Sequence, residues 1–199
     1  GRGRADRKAV AREGKHRPSD ARAVRSRGAM RRAMLELLEA RSLDRISIKD
    51  VTLTARVSYP TFFRNYTSKT DLLGDIAAEE VQQLIALMLS YVDRSDLQGN
   101  AEGICRYVEE HRRLWTVLLN TGASPIMRDE FIKAGMASVE DRGRINPGLP
   151  LDMVSAFVAG GLFEILAWWL RQPEDYPAGR IAAFLKLLVL EPTVVPHDV

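Results

Sequence analysis

Apolar side chains recur every three to four positions along most of the chain, and no segment shows convincing two-residue alternation. That period marks amphipathic helices, so the pattern predicts an all-α fold of about nine helices. Met30, Ala33, Met34, Leu37 and Leu38 share one face between Ala21 and Ala40, opposite Arg22, Arg25, Arg31, Arg32 and Glu36, which predicts the first helix. Ser47 and Asp50 then stand at capping-box spacing, with Ile48, Val51 and Ala55 lining a second helix of about eight residues. Ser58 is the next cap. Pro60 falls in the first turn of a third helix, Tyr59 to Tyr66, where its missing N–H costs nothing. Ser68 and Asp71 repeat the box spacing, and Leu72, Ile76, Leu84, Leu87 and Met88 carry a fourth helix to about Val92. Gly, Pro and Asn clusters near 98–100, 121–125 and 146–150 break the remainder into further helices.

Two late segments depart from amphipathicity. Residues 153–170 are nearly all apolar, and residues 178–190 follow closely with a second apolar pattern. The first is marginal as a membrane span: it is short, holds Glu164, and has neither a positive flank nor a second span beside it. Helices apolar all round are buried on several sides in soluble proteins, so the pair is expected to form core and subunit interface, with no membrane partner. Small residues Ala156, Gly160 and Ala167 permit close approach there. The expected interface comprises Ala156, Gly160, Phe163, Ala167, Ile181, Phe184 and Leu188.

Charge divides the chain in a way the net of +3 conceals. Residues 1–69 hold 18 Lys+Arg against 7 Asp+Glu, whereas residues 70–199 hold 11 against 19. A basic third on an acidic remainder points to a polyanion met by the first part alone. Residues 1–20 carry seven Lys+Arg, three glycines and a proline without apolar periodicity, and read as a disordered basic arm. Cys105 is the one cysteine, which excludes an intramolecular disulfide; no basic-then-apolar leader is visible, so a cytoplasmic chain is expected.

Three short helices with a tight link between the second and third describe a helix-turn-helix unit, whose second helix presents its first residues to base edges in the major groove. The stretch SLDRISIKDVTLTARVSYPTFFRNYTSKTDLL, residues 42–73, carries I-x-D-V at 48–51, A-x-V-S at 55–58, T-F-F-R-N-Y at 61–66 and S-K-T-D-L-L at 68–73. In these four motifs and their spacing it resembles the DNA-binding signature of the TetR family of bacterial transcriptional regulators. The likeness covers about fifty residues. Two positions depart from the family pattern: Arg56 stands where glycine is common, and Thr52 where alanine is.

The resemblance implies a DNA-binding unit at 21–67 and a helical ligand-binding and dimerisation unit at 68–199. It implies DNA contacts from Ser47, Ser58, Tyr59, Pro60, Thr61, Phe63, Arg64, Asn65, Tyr66 and Lys69, while Val57, Phe62 and Tyr66 mainly hold the third helix in place. Tyr59 and Asn65 suit base edges or phosphates, Pro60 and Phe63 thymine methyls, and Thr61 and Lys69 the backbone. A small-molecule cavity is implied among Met88, Tyr91, Tyr107, His111, Trp115, Met127, Phe131, Met136, Phe163 and Trp168, largely apolar with few polar anchors. The expected partners are a palindromic double-stranded operator, a second copy of the chain, and an inducer of unknown identity that releases the DNA.

Enzymatic chemistry finds no foothold in the pattern. His16, His111 and His197 lie far apart, Cys105 and His111 are off a common helical face, and no zinc, P-loop or nucleophile-elbow spacing occurs. No cofactor or metal is expected. The competing reading is a helical small-molecule-binding or catalytic protein whose basic third is not a sequence-specific DNA reader.

Overall fold

The computed structural model describes residues 18–92, 96–140 and 148–194, with the backbone alone at 18–19, 91–92, 139–140 and 194. The basic arm, apart from its last residues, His16, His197 and the Tyr91 side chain therefore lie outside the described residues. The described residues are helical with no strand: α1 (Pro18–Ala40), a 3-10 turn (Leu43–Arg45), α2 (Ile48–Ala55), α3 (Tyr59–Asn65), α4 (Lys69–Val92), α5 (Leu97–Glu110), α6 (Arg112–Asn120), α7 (Ser124–Glu140), α8 (Leu151–Leu170) and α9 (Ala178–Leu185). The last continues unbroken through a π turn, Lys186–Leu190, and a final α turn, Glu191–Val194.

Helix α1 starts three residues before the expected Ala21, inside the stretch read as an arm. Pro18 needs no N–H in a first turn, and Asp20 complements the helix dipole there. The predicted boxes set the next starts. Ser47 accepts from the Asp50 amide at 3.1 Å, and the Asp50 carboxylate accepts from the Ser47 amide at 2.8 Å. At α4, Ser68 accepts from the Asp71 amide at 3.0 Å, but the Asp71 carboxylate takes the Thr67 amide at 2.8 Å, one residue earlier than a simple box requires.

Apolar faces join these helices into one continuous core running from Met30 on α1, through Phe62, Leu84, Ile104, Trp115 and Leu166, to Leu190. Helix α1 packs on α2, α3, α4 and α6; α4 lies against α5 and α7; α8 lies against α6, α7 and α9. Helix α8 is long and apolar enough to cross a membrane, with mean hydropathy 1.7, yet half of that window is buried within the chain. At Gly161 a Cβ would stand 3.0 Å from Val189 Cγ2, so α8 and α9 approach as closely as they do because no side chain intervenes.

The outward side of α8 and α9 differs from the expected interface. Phe163, Ala167 and Ile181 are buried, because they point into the core that α8 and α9 share with the other helices. A Cβ on Gly160 would meet nothing within 4 Å, and Ala156 and Phe184 are half-buried. Of the expected residues Leu188 is exposed, at 56%, and the other exposed large apolar side chains of this region are Met153, Phe157, Trp168 and Leu187, the last 62% accessible. Two consecutive leucines reach solvent where the π turn widens the helix, while Val189 and Leu190 return to the core. A shallow groove of about 300 Å³ lies here, lined by Glu164, Ile165, Trp168, Phe184 and Leu188.

Candidate nucleic-acid interface

The site is built on the link between α2 and α3. The Arg56 amide donates to Leu53 O at 3.2 Å and the Val57 amide to Thr52 O at 3.0 Å, closing the end of α2 as a Schellman turn. Arg56 itself takes φ 56° and ψ 42°. Thr52 is buried but satisfied, its hydroxyl donating to Lys49 O at 3.0 Å. Ser58 then caps α3, accepting from the Thr61 amide at 3.3 Å. Phe62 is fully buried and holds α3 on the core, as the family resemblance implies.

With Phe62 inward, the flank of α3 that carries Tyr59 and Phe63 is presented to solvent. Tyr59 and Phe63 are each 50% exposed, their rings 5.4 Å apart, and Phe63 also leans edge-on against Phe62 at 5.3 Å. Pro60 and Arg64 are exposed and Thr61 half-buried. The Thr61 hydroxyl is shared between Ser58 Oγ at 2.7 Å and an Arg64 N–H at 3.0 Å, so two candidate contact groups are held in place before any ligand arrives. Asn65 donates its amide to Thr61 O at 2.8 Å, which leaves its side-chain carbonyl as an acceptor. This helix offers apolar rings, hydroxyls and a cation on one braced surface, the mixture that base edges, thymine methyls and phosphates engage.

Besides Ser58, which caps α3, three further expected contacts are already committed inside the chain. Ser47 is used by the α2 box. Tyr66 is buried, and its hydroxyl donates to Asp75 at 2.6 Å instead of facing outward. Burial first, and the bond to Asp75 second, push its hydroxyl pKa up to about 12. Lys69 departs furthest from the outward clamp: its ammonium donates to Leu43 O at 2.8 Å, the carbonyl that opens the 3-10 turn and also accepts the Ile46 amide at 3.1 Å, and to Ile46 O at 2.9 Å, the carbonyl of the residue that caps the turn. The residues that pattern reading missed are the partners of Tyr66. Arg27 lies over its ring at 5.4 Å, and Arg31 meets both Asp75, at 3.8 Å, and Glu79, so α1, the end of α3 and α4 are tied at one point. No local spacing advertises an interaction between positions nine and more apart.

The expected cavity residues divide similarly. Trp115, Met127, Phe131 and Phe163 are buried together, with Phe131 edge-on to Phe163 at 5.4 Å and Trp115 6.2 Å from Phe163. Tyr107 joins this cluster, 6.2 Å from Trp115, and its hydroxyl donates to Glu80 at 2.8 Å. The Trp115 indole N–H is buried without an acceptor among the described residues. Met88 and Met136 are half-buried. His111 is exposed at the α5–α6 joint, its ring 4.6 Å from that of Tyr107 at the edge of the cluster, and it lines a groove of about 460 Å³ between α1 and α6 that the Glu39–Arg113 ion pair spans. Trp168 also faces away, stacked edge-on with Tyr176 at 5.4 Å. Cys105 is buried and its thiol is pushed up to about 12, by burial foremost, which leaves it inert as a nucleophile at neutral pH. Among the described residues no group of His, Cys, Asp and Glu could hold a metal.

A capped helix pair with a braced, outward second helix, set on a helical body, defines a helix-turn-helix protein, and this chain has the fold of the TetR-family transcriptional regulators. No family model matches the sequence. An uncharacterized HTH-type transcriptional regulator of Mycobacterium tuberculosis is 27% identical over 148 residues, 68% of this chain and 69% of the relative. A TetR regulator from Streptococcus agalactiae superposes with a TM-score of 0.61 at 20% identity, covering 86% of this chain and 97% of that one. FadR of Thermus thermophilus, a TetR-family repressor solved with lauroyl-CoA, superposes with a TM-score of 0.53 at 17% identity over 86% of this chain and 97% of its own. These similar proteins are transcriptional regulators, not enzymes.

Proposed function

We propose that the chain is a TetR-like transcriptional repressor: a homodimer that reads a palindromic operator with α3 and lets it go when a small, largely apolar inducer binds among α4 to α8. On this reading 21–67 form the DNA-binding unit and 68–199 the unit that dimerises and takes the inducer. The observation that carries the reading is the outward face of α3, where Tyr59 and Phe63 stay half exposed on a helix locked by the Ser58 cap and by buried Phe62. Such rings cost free energy in water unless a partner covers them. Residues 1–69, which include α3, hold 18 Lys+Arg against 7 Asp+Glu, and a nucleic-acid duplex supplies both apolar and anionic surface.

The second copy accounts for the exposed apolar side of α8 and α9, and two-fold symmetry would present two α3 helices to successive half-sites. The FadR likeness, together with an aromatic cluster whose Trp115 N–H has no acceptor among the described residues, supports an inducer that is mostly apolar and brings one acceptor. Binding of the protein to labelled duplexes across a salt series tests the reading. Sequence-selective binding that weakens steeply with salt supports it; weak, sequence-blind binding, or none, rejects it.

A further inference from the structure

Arg56 is the one non-glycine residue with positive φ among the described residues. Its backbone closes α2, a job that glycine does without the steric cost that a Cβ incurs in the left-handed region. The side chain makes no compensating contact among the described residues. Its guanidinium is exposed and has no hydrogen-bond or ion-pair partner among the described residues, as is also true of the Lys49 ammonium on α2, whereas Arg41 is engaged with Asp50, Arg64 with Thr61, and Lys69 with two carbonyls. Nearby acids are equally committed, Asp44 to Ser42 and Asp50 to the Ser47 box. A cation without a partner among the described residues therefore stands on a strained turn two residues before the Ser58 cap of α3.

We infer that Arg56 is a DNA-backbone contact, kept on the α2–α3 turn at the expense of fold stability and placed to set α3 in the groove. This rests on the proposal that α3 reads DNA. A strained residue that persists where an unstrained one would serve marks a position at which something other than folding decides the side chain, and an unpaired guanidinium beside a groove-entering helix is suited to a phosphate. A phosphate contact supplies affinity and register without sequence information, so its loss should fall evenly on all sequences.

The test uses Arg56→Gly, Arg56→Ala and Arg56→Lys in the full chain, with thermal melting and with duplex binding at several salt concentrations. Arg56→Gly should melt higher by about 2–4 °C and yet bind both selected and random duplexes several-fold more weakly, its logarithmic salt slope lower by about 0.9 per half-site. Arg56→Ala keeps the strain and loses the charge, so it should share the weakened binding without the gain in melting. Arg56→Lys should retain most of the slope. If Arg56→Gly gains stability while affinity and slope stay at wild-type values, Arg56 is strained without a DNA role and the inference fails alone. If the wild-type chain retains no duplex at all, the regulator reading fails and takes this inference with it.

Discussion

Removing one oxygen from Tyr66 separates an internal tie from a DNA contact. In Tyr66→Phe the ring keeps its place 5.9 Å from Phe62 and beneath Arg27, while the 2.6 Å bond to Asp75 disappears. A hydrogen bond to a charged acceptor contributes about 1.5–3 kcal/mol when the acceptor is left dry. The Asp75 side chain is 35% exposed and also meets Arg31 at 3.8 Å, so water and the guanidinium re-solvate it and the loss falls to about 1 kcal/mol. Urea unfolding followed by circular dichroism measures this, and a double-mutant cycle with Asp75→Asn isolates the pair. High pH gives a second readout. The Tyr66 pKa is raised to about 12, against 10 for the free side chain, so the folded chain holds a proton that the unfolded chain releases. The associated stability is intact below pH 10 and declines as pH rises from 10 through 12; Tyr66→Phe removes that part of the decline. The salt slope of duplex binding should stay at the wild-type value, because the hydroxyl is inside. A loss below about 0.3 kcal/mol with no coupling to Asp75, or a flattened slope, would refute the reasoning.

Lys69→Met should destabilise the fold by stripping donors from Leu43 O and Ile46 O, and should weaken duplex binding with little change of salt slope; a slope lower by about one per half-site would return Lys69 to the role of a phosphate clamp. Ser58→Ala removes the α3 cap and should cost about 1 kcal/mol in urea unfolding, with an unchanged midpoint showing that the α2–α3 turn holds without it. Leu187→Asp with Leu188→Asp places charge on the exposed apolar face, so sedimentation equilibrium should show monomer, and a persistent dimer would move the interface elsewhere. Trp115→Phe removes the unpaired N–H at little cost in volume and should weaken a screened inducer severalfold by calorimetry while DNA binding of the empty protein is retained; undiminished inducer affinity would place that anchor elsewhere.

Local signals account for what the chain disclosed in advance. Ser47 with Asp50, and Ser58 with Pro60, are read within a single turn, and α2 and α3 start where those residues put them. The family resemblance, not the period, separates Phe62, which is buried, from Tyr59 and Phe63, which are half exposed, because the three lie within about 100° of one another on the helix. The fate of Tyr66 and Lys69 was not legible, because it depends on Asp75 and on carbonyls of residues 43 and 46 that meet them only after the helices pack. The same limit explains α8. A helix apolar on every side carries no pattern that separates the face toward α6 and α7 from the face toward solvent, so Phe163 and Ala167 could not be told from Met153 and Phe157. The π turn in α9, which shifts Leu187 and Leu188 to the outside, has no sequence signature of its own.

Selection of duplexes from a randomised pool, with the wild-type chain and with Tyr59→Ala in parallel, tests the claim that α3 is the reading helix. The wild type should enrich a two-fold symmetric motif whose half-sites lie about 34 Å apart, one helical turn. Tyr59→Ala should cost about 1–3 kcal/mol on the best member and relax preference at one or two base pairs of each half-site, with non-specific affinity nearly unmoved. A wild-type pool that stays random, or a motif that Tyr59→Ala leaves intact, would contradict the account.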